Sequence, residues 1–327
     1  MNIKNLKPKA KESTFIFSLD GKAAFAFGNL DCLRVVKTDI FYNGHAAVLI
    51  NWKNRYLGLE FIECDCILEN EKHTQWDFNG YKINGCTSQI DFPSCFQEDS
   101  QIISKDLIPV IKDIGLNCST DCTRPFLNGI FFSENGDIVG TDAHRLSLKS
   151  SPITWHNDVI YPQAFNCFDG KKDVTVKYGS VERELGSLKE QFRYIWLSDG
   201  NNIVITQAIK CNYPNYKKVI PDLNNMNKKF CKGFSLFKKY EKVWKSDSNK
   251  VFLNEENIIR PQDENSPEIC LGKLTGFNAK VHFNGIILRD IYKQYGDEIY
   301  VYIPEKLNNS FVFGTEDYFS VVVPMSA

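Results

Sequence analysis

GIFFSENGDIVGT, residues 129–141, alternates apolar and polar positions on either side of Ser-Glu-Asn-Gly. An alternating run points successive side chains to opposite faces of a sheet, and an Asn-Gly between two such runs supplies the positive φ angles of a hairpin turn. The stretch reads as two antiparallel strands and a tight turn. Working outward, the same plan recurs in FIFSLDGKAAFAF (15–27), RYIWLSDGNNIVIT (193–206), KVFLNEENIIR (250–260) and FVFGTEDYFSVVV (311–323). No long Gly/Ser or charged linker separates these units, so the domains are expected to abut directly.

Helices are few. Asp106 is placed to cap a helix carrying Leu107, Val110, Ile111 and Ile114, with Pro109 in its first turn and Gly115 closing it. A second is expected from about Phe234 to Lys245, with Leu236, Phe237, Tyr240, Val243 and Trp244 on one face and Lys238, Lys242 and Lys245 on the other. A third starts near Asn284, with Ile287, Leu288, Ile291 and Tyr295 inward and Arg289 and Lys293 outward. DVIYPQAFNCFDGKKDVTVKYG (158–179) and KVHFNGIILRDIYKQYGDEIYVYIP (280–304) both read strand, short helix, turn, strand. That repetition points to duplicated α+β modules, mostly antiparallel sheet with helices on one side.

The 327 residues leave room for two or three domains. No apolar run approaches a membrane span, and the opening MNIKNLKPKAKEST lacks the apolar stretch of a signal peptide, so a cytoplasmic protein is expected. Eleven cysteines show no metal-ligand or disulfide spacing: Cys64 and Cys66 are two apart in an apolar run, and Cys118 and Cys122 have no second pair. Reduced core cysteines, no metal and no cofactor are expected. A net charge of −1 argues against a tight groove-binder of nucleic acid, though not against a protein that encloses it loosely.

Five stretches, in order, resemble the bacterial DNA polymerase III β subunit (β sliding clamp) family. IDFPSCF (90–96) is similar to the segment leaving that family's first domain. RPFLNG (124–129) and VGTDAHRLSL (139–148) resemble paired strands of its middle domain, where the family has TDGHRL. NYPNYKKVIP (212–221) looks like the segment closing that domain, and VVVPMSA (321–327) resembles the end of the family's chain. Most of residues 80–327 carry the likeness, while the first 80 match only in being strand-rich and are few for a first domain.

The resemblance implies a DNA clamp fold of three similar domains, 1–100, 101–225 and 226–327, with antiparallel sheets outside and helices lining the inner face. It also implies a head-to-tail homodimer that encircles double-stranded DNA without sequence preference. Peptides of the DNA polymerase and clamp loader would enter a cleft formed by Leu127, Thr141, His144, Arg145, Leu146, Pro214, Lys218, Val219, Ser310, Val321, Val322, Val323, Pro324 and Met325. The DNA-facing positions would be Arg124, Phe126, Lys238, Lys242, Lys245, Asn284, Arg289 and Lys293, and the dimer contact Tyr81 and Ile83 against Val243 and Trp244. Three departures stand out. Ala143 replaces the family's Gly, in a conformation Ala is expected to tolerate, Lys218 replaces an Arg, and Ser326 and Ala327 replace larger residues.

An enzyme is the contrasting class. His144 beside Asp142, or His45 and His73 near carboxylates, could form acid–base pairs, but no GxSxG, phosphate-cradling glycine loop or metal spacing accompanies them. A non-catalytic polymerase subunit is the expectation. The nearer alternative is a clamp-like accessory or phage or plasmid paralogue that binds replication proteins without encircling DNA.

Overall fold

The computed structural model describes residues 13–20, 22–29, 32–41, 47–49, 65–69, 74–78, 81–87, 93, 96–97, 100–185, 188–239, 250–253, 258–261 and 272–326. The chain divides into two compact units, one of Met1–Ile108 with Gln163–Lys210, the other of Pro109–Pro162 with Cys211–Ala327.

The first unit holds an eleven-stranded sheet. Its strands lie in the order Asp65–Glu69, Thr74–Phe78, Tyr81–Thr87, Ala47–Leu49, Ser13–Leu19, Lys22–Asn29, Cys32–Phe41, Ile203–Gln207, Leu188–Ser198, Val174–Leu185 and Gln101–Ile103, each antiparallel to its neighbours. The expected hairpins are its units. Leu19 pairs with Lys22 across a turn in which Asp20 takes φ 54°, a left-handed angle that a short polar side chain accepts. The alternation of Ala24 and Ala26 sets them on one face with Leu33, Val35, Tyr194 and Ile205, and this cluster excludes water.

The second unit holds an eight-stranded and a four-stranded sheet, again antiparallel throughout. The eight strands run in the order Asp158–Ile160, Ile130–Phe132, Asp137–Thr141, Arg145–Ser150, Tyr318–Val322, Phe311–Gly314, Glu298–Ile303 and Asn227–Lys232. The four are Gly272–Lys273, Ile258–Pro261, Lys250–Leu253 and Val281–Asn284. The 129–141 hairpin is in place, with Ile138 opposite Phe132 and Gly136 at φ 86° in its turn. Both repeated modules keep their reading, and in each the helix carries the chain from one sheet to another.

The helix Leu107–Gly115 forms as expected, but its start is tied to Ser104 rather than capped by Asp106. The Ser104 carbonyl accepts from Leu107 N–H at 2.9 Å and its Oγ from Asp106 N–H at 3.4 Å. Ile108, Ile111 and Ile114 bury completely along one stripe. Strand Asp137–Thr141 passes so close to the helix end that a Cβ on Gly140 would lie 2.5 Å from the Ile114 carbonyl oxygen, which accounts for the glycine.

The helix Gly285–Tyr295 begins where expected. Asn284 Oδ1 accepts from Ile286 N–H at 2.9 Å, and Gly296 at φ 85° stops it. Ile287, Leu288 and Ile291 enter a core with Phe234, Phe237, Phe283, Phe311 and Phe313. Rings there meet edge to face, as Phe283 and Phe311 do at 5.0 Å.

The expected 234–245 helix differs. Its described part is a 3-10 helix, Phe234–Lys239. The Ser235 N–H bonds to Asp297 Oδ1 at 2.6 Å, and the tighter winding stacks Phe234 and Phe237, three apart, on one buried side. Tyr240, Lys242, Val243, Trp244 and Lys245 lie outside the described residues. Among the described residues no helix is long and apolar enough to cross a membrane, and no group of His, Cys, Asp and Glu could hold a metal ion.

Candidate functional site

The site grows from the turn between strands Asp137–Thr141 and Arg145–Ser150, where Thr141 pairs with Leu146. Asp142 folds this turn. Its Oδ1 accepts from His144 N–H at 2.9 Å and Arg145 N–H at 3.0 Å, and its Oδ2 from Arg145 Nε at 3.0 Å. Thr141 Oγ donates to the Arg145 carbonyl at 2.6 Å and accepts from Ala143 N–H at 3.1 Å. Ala143 is driven to φ 75°. The expectation of a conformation that Ala readily tolerates is corrected, because its Cβ meets the backbone in the left-handed region. Ala143→Gly is expected to raise the unfolding free energy by about 0.5–1 kcal/mol in urea denaturation, the relief of strain exceeding the added freedom of the unfolded chain.

Arg145 sends its charge inward. Its guanidinium, on a side chain 9% exposed, bonds Asp290 Oδ2 at 2.8 Å and the Leu116 carbonyl at 3.0 Å. Asp290 Oδ1 receives Arg289 at 2.9 Å and, more distantly, Lys293 at 3.6 Å. One buried carboxylate thus holds the cleft turn against the helix Gly285–Tyr295.

The neighbouring strand is fixed by register. Arg145 faces Val322 and Leu146 faces Val321, and Val323 N–H donates to the His144 carbonyl at 3.2 Å. Alternation then directs Val321 and Val323 to one side and Val322 to the other. A buried polar network locks this seam. The Ser147 and Ser320 hydroxyls bond each other, Asn117 Nδ2 donates to Ser147 Oγ at 2.7 Å, Ser320 Oγ donates to Gln294 Oε1 at 3.0 Å, and Gln294 Nε2 donates to the Asp113 carbonyl at 2.8 Å. Burial raises the Asp113 carboxyl to about 6 and the Cys118 thiol to about 12.

The far wall is the segment around the 3-10 helix Tyr216–Val219. Tyr213 stacks on Phe131 with centroids 4.4 Å apart, and Tyr216 donates to Asp137 Oδ2 at 2.7 Å. Burial and that carboxylate push the Tyr216 hydroxyl up to about 12, so it remains a donor. Together these walls enclose a cleft of about 400 Å³.

Leu127, Thr141, His144, Arg145, Leu146, Pro214, Val219, Ser310, Val321 and Val323 line the cleft. The other four positions expected there do not. Val322 is fully buried in the core, Lys218 is exposed, and Pro324 and Met325 run on past the cleft, where Met325 N–H bonds the His282 carbonyl at 2.9 Å. Ala143, Tyr213, Asn215 and Tyr216 join the lining, and so do Arg124 and Phe126, which the resemblance had turned toward DNA. The tyrosines had a signal in NYPNYKK, two rings three residues apart around a proline.

Of the other DNA-facing positions, Lys238 is exposed, Asn284 spends its Oδ1 on a helix cap, and Lys242 and Lys245 lie outside the described residues. Arg289 and Lys293 converge on Asp290. Arg289 is not simply outward, its side chain being 15% exposed. Tyr81 and Ile83 sit in strand Tyr81–Thr87, paired with Phe78 and Trp76, while Val243 and Trp244 lie outside the described residues.

Among the described residues no Asp, Glu or Cys lines the cleft. An apolar floor with a few polar groups at the rim suits capture of an apolar side chain.

No family model matches the chain. In sequence it is 26% identical over 125 residues to the β sliding clamp of Borreliella burgdorferi, a match spanning 37% of this chain and 31% of that protein. In structure it is similar to the DNA polymerase β subunit of Streptococcus pyogenes, with TM-score 0.66 and 15% identity over 100% of this chain and 96% of that one. It is also similar to the sliding clamp of Bartonella birtlesii bound to griselimycin, with TM-score 0.65 and 18% identity over 96% and 91%. The Thermotoga maritima β subunit gives TM-score 0.64 and 16% identity over 99% and 93%. The architecture is therefore the α+β DNA clamp fold, antiparallel sheets with a few helices. The sequence match is to a β sliding clamp over part of the chain, and the fold is that of solved β subunits over nearly all of it.

Proposed function

We propose that this protein is a cytoplasmic sliding clamp, a polymerase processivity factor that closes as a head-to-tail homodimer around duplex DNA and captures client peptides of polymerase and clamp loader. In this reading residues 1–100, 101–225 and 226–327 are three similar clamp domains with sheets outside and helices inside. The observation that carries it is the cleft of about 400 Å³, in which Leu127, Leu146, Val321 and Val323 supply apolar surface on a clamp fold. Lys238, Lys242, Lys245 and Asn284 would approach phosphates through salt-sensitive contacts that read no sequence, and Tyr81 and Ile83 would pack on Val243 and Trp244 of the second copy.

One observation favours a second reading, a clamp-like accessory protein that binds replication proteins without encircling DNA. Arg124 and Phe126 line the cleft, and Arg289 and Lys293 converge on Asp290, so four of the expected DNA-facing side chains have other work. Loading onto circular and linear DNA separates the two. A clamp sediments as a dimer at micromolar concentration and stays on nicked circular DNA until the circle is cut. A monomer that leaves both DNAs alike sinks the ring and leaves the accessory reading.

A further inference from the structure

A second cavity, of about 530 Å³, lies beside the cleft. The two share Val219 and Ser310, so a chain that fills the cleft and continues past Val219 enters the second cavity. Their linings differ in charge. Among the described residues, Arg124 and Arg145 line the cleft, the latter paired inward with Asp142 and Asp290, and no carboxylate does. Asp222 and Glu305 line the second cavity, and no Lys, Arg or His is among its described lining residues.

Neither carboxylate meets a cation among the described residues. Asp222 is held by neutral donors: Asn224 N–H at 3.0 Å, Asn224 Nδ2 at 3.1 Å and Asn225 Nδ2 at 2.8 Å. It is an anion fixed in place with its charge uncompensated. Val219, 57% exposed, with Pro221 and Met226, adds apolar surface for a methylene stem. A long cationic side chain satisfies both features, its stem on the apolar lining and its charge in the acidic cavity.

We infer that this groove takes a Lys or Arg of the client peptide adjoining its apolar anchor. The inference rests on the cleft reading above and names the charge its ligand carries. Peptides with a Gln and a Leu or Phe anchor, flanked at either end by Arg or by Ala, are titrated by fluorescence anisotropy at low salt. At least one Arg-flanked peptide should bind about 3- to 10-fold tighter than its Ala counterpart, an advantage that shrinks as salt is added. In Asp222→Asn/Glu305→Gln the advantage should fall to about one, while the Ala-flanked peptide binds as before. Asn caps a helix as well as Asp does, so the local turn survives. An Arg advantage that persists in the double variant, or none in the parent protein, overturns the groove alone. Failure of every peptide to bind overturns the cleft reading and the groove with it.

Discussion

Asp290→Ala is expected to lower the unfolding free energy by about 3–5 kcal/mol, the cost of removing one partner from a buried ion pair. Asp290 is 5% exposed and receives Arg145 at 2.8 Å and Arg289 at 2.9 Å. Without it Arg145, itself 9% exposed, keeps Asp142 and the Leu116 carbonyl but faces Arg289 across a vacated, poorly hydrated site. The surface pair Lys149–Asp317 is the control. Its carboxylate side chain is 67% exposed, and Lys149→Ala should cost no more than about 1 kcal/mol. Arg145→Met/Asp290→Leu should recover part of the loss, since the Arg145 charge is no longer stranded while Arg289 still loses its carboxylate. Urea denaturation of the three variants decides the matter. A loss near that of Lys149→Ala would mean that water reaches Asp290 and that the pair does not hold the cleft turn.

Much of this architecture was legible because its determinants are local. The hairpins at 15–27, 129–141, 193–206, 250–260 and 311–323 carry their alternation and turn residues within about a dozen positions, and each forms an antiparallel pair. Asn284 and Gly296 likewise bracket their helix from within it. What was not legible depends on distant partners. The 3-10 helix at Phe234 is tied through Ser235 to Asp297, 62 residues beyond that serine. Arg145 was expected only as a cleft residue, because nothing within its strand announces Asp290, 145 positions away. Arg124 and Phe126 turn to the cleft because the Pro125–Leu127 helix is tied back, Ser119 N–H bonding the Leu127 carbonyl at 2.8 Å. Val322 is a different case. Period-two alternation separates it from Val321 and Val323, and treating 321–325 as one stretch hid a distinction the pattern already contained.

The same distinction selects the variant with the largest effect on binding. Leu146 is 4% exposed and Met325 does not line the cleft, so a charge at the first endangers the fold and a charge at the second misses the site. Val323 is 48% exposed, lies just beyond the end of strand Tyr318–Val322, and is held through its backbone N–H, which any substitution except proline retains. Val323→Asp is therefore expected to change stability by less than about 1 kcal/mol. Binding should suffer far more. An anchor side chain seated on Leu127, Leu146 and Val321 strips water from the new carboxylate, and no lysine lines the cleft to receive it. The cationic groups there are Arg124 at the rim and Arg145, whose guanidinium is committed to Asp142 and Asp290. Stranding a charge at the centre of a small apolar contact should weaken the peptide about 30-fold or more, read by anisotropy with the unfolding curve measured in parallel. Val323→Ala should cost only a few-fold, the loss of two methyl groups. If Asp and Ala weaken binding alike, the position is not desolvated by the ligand, and the anchor must sit elsewhere on this face.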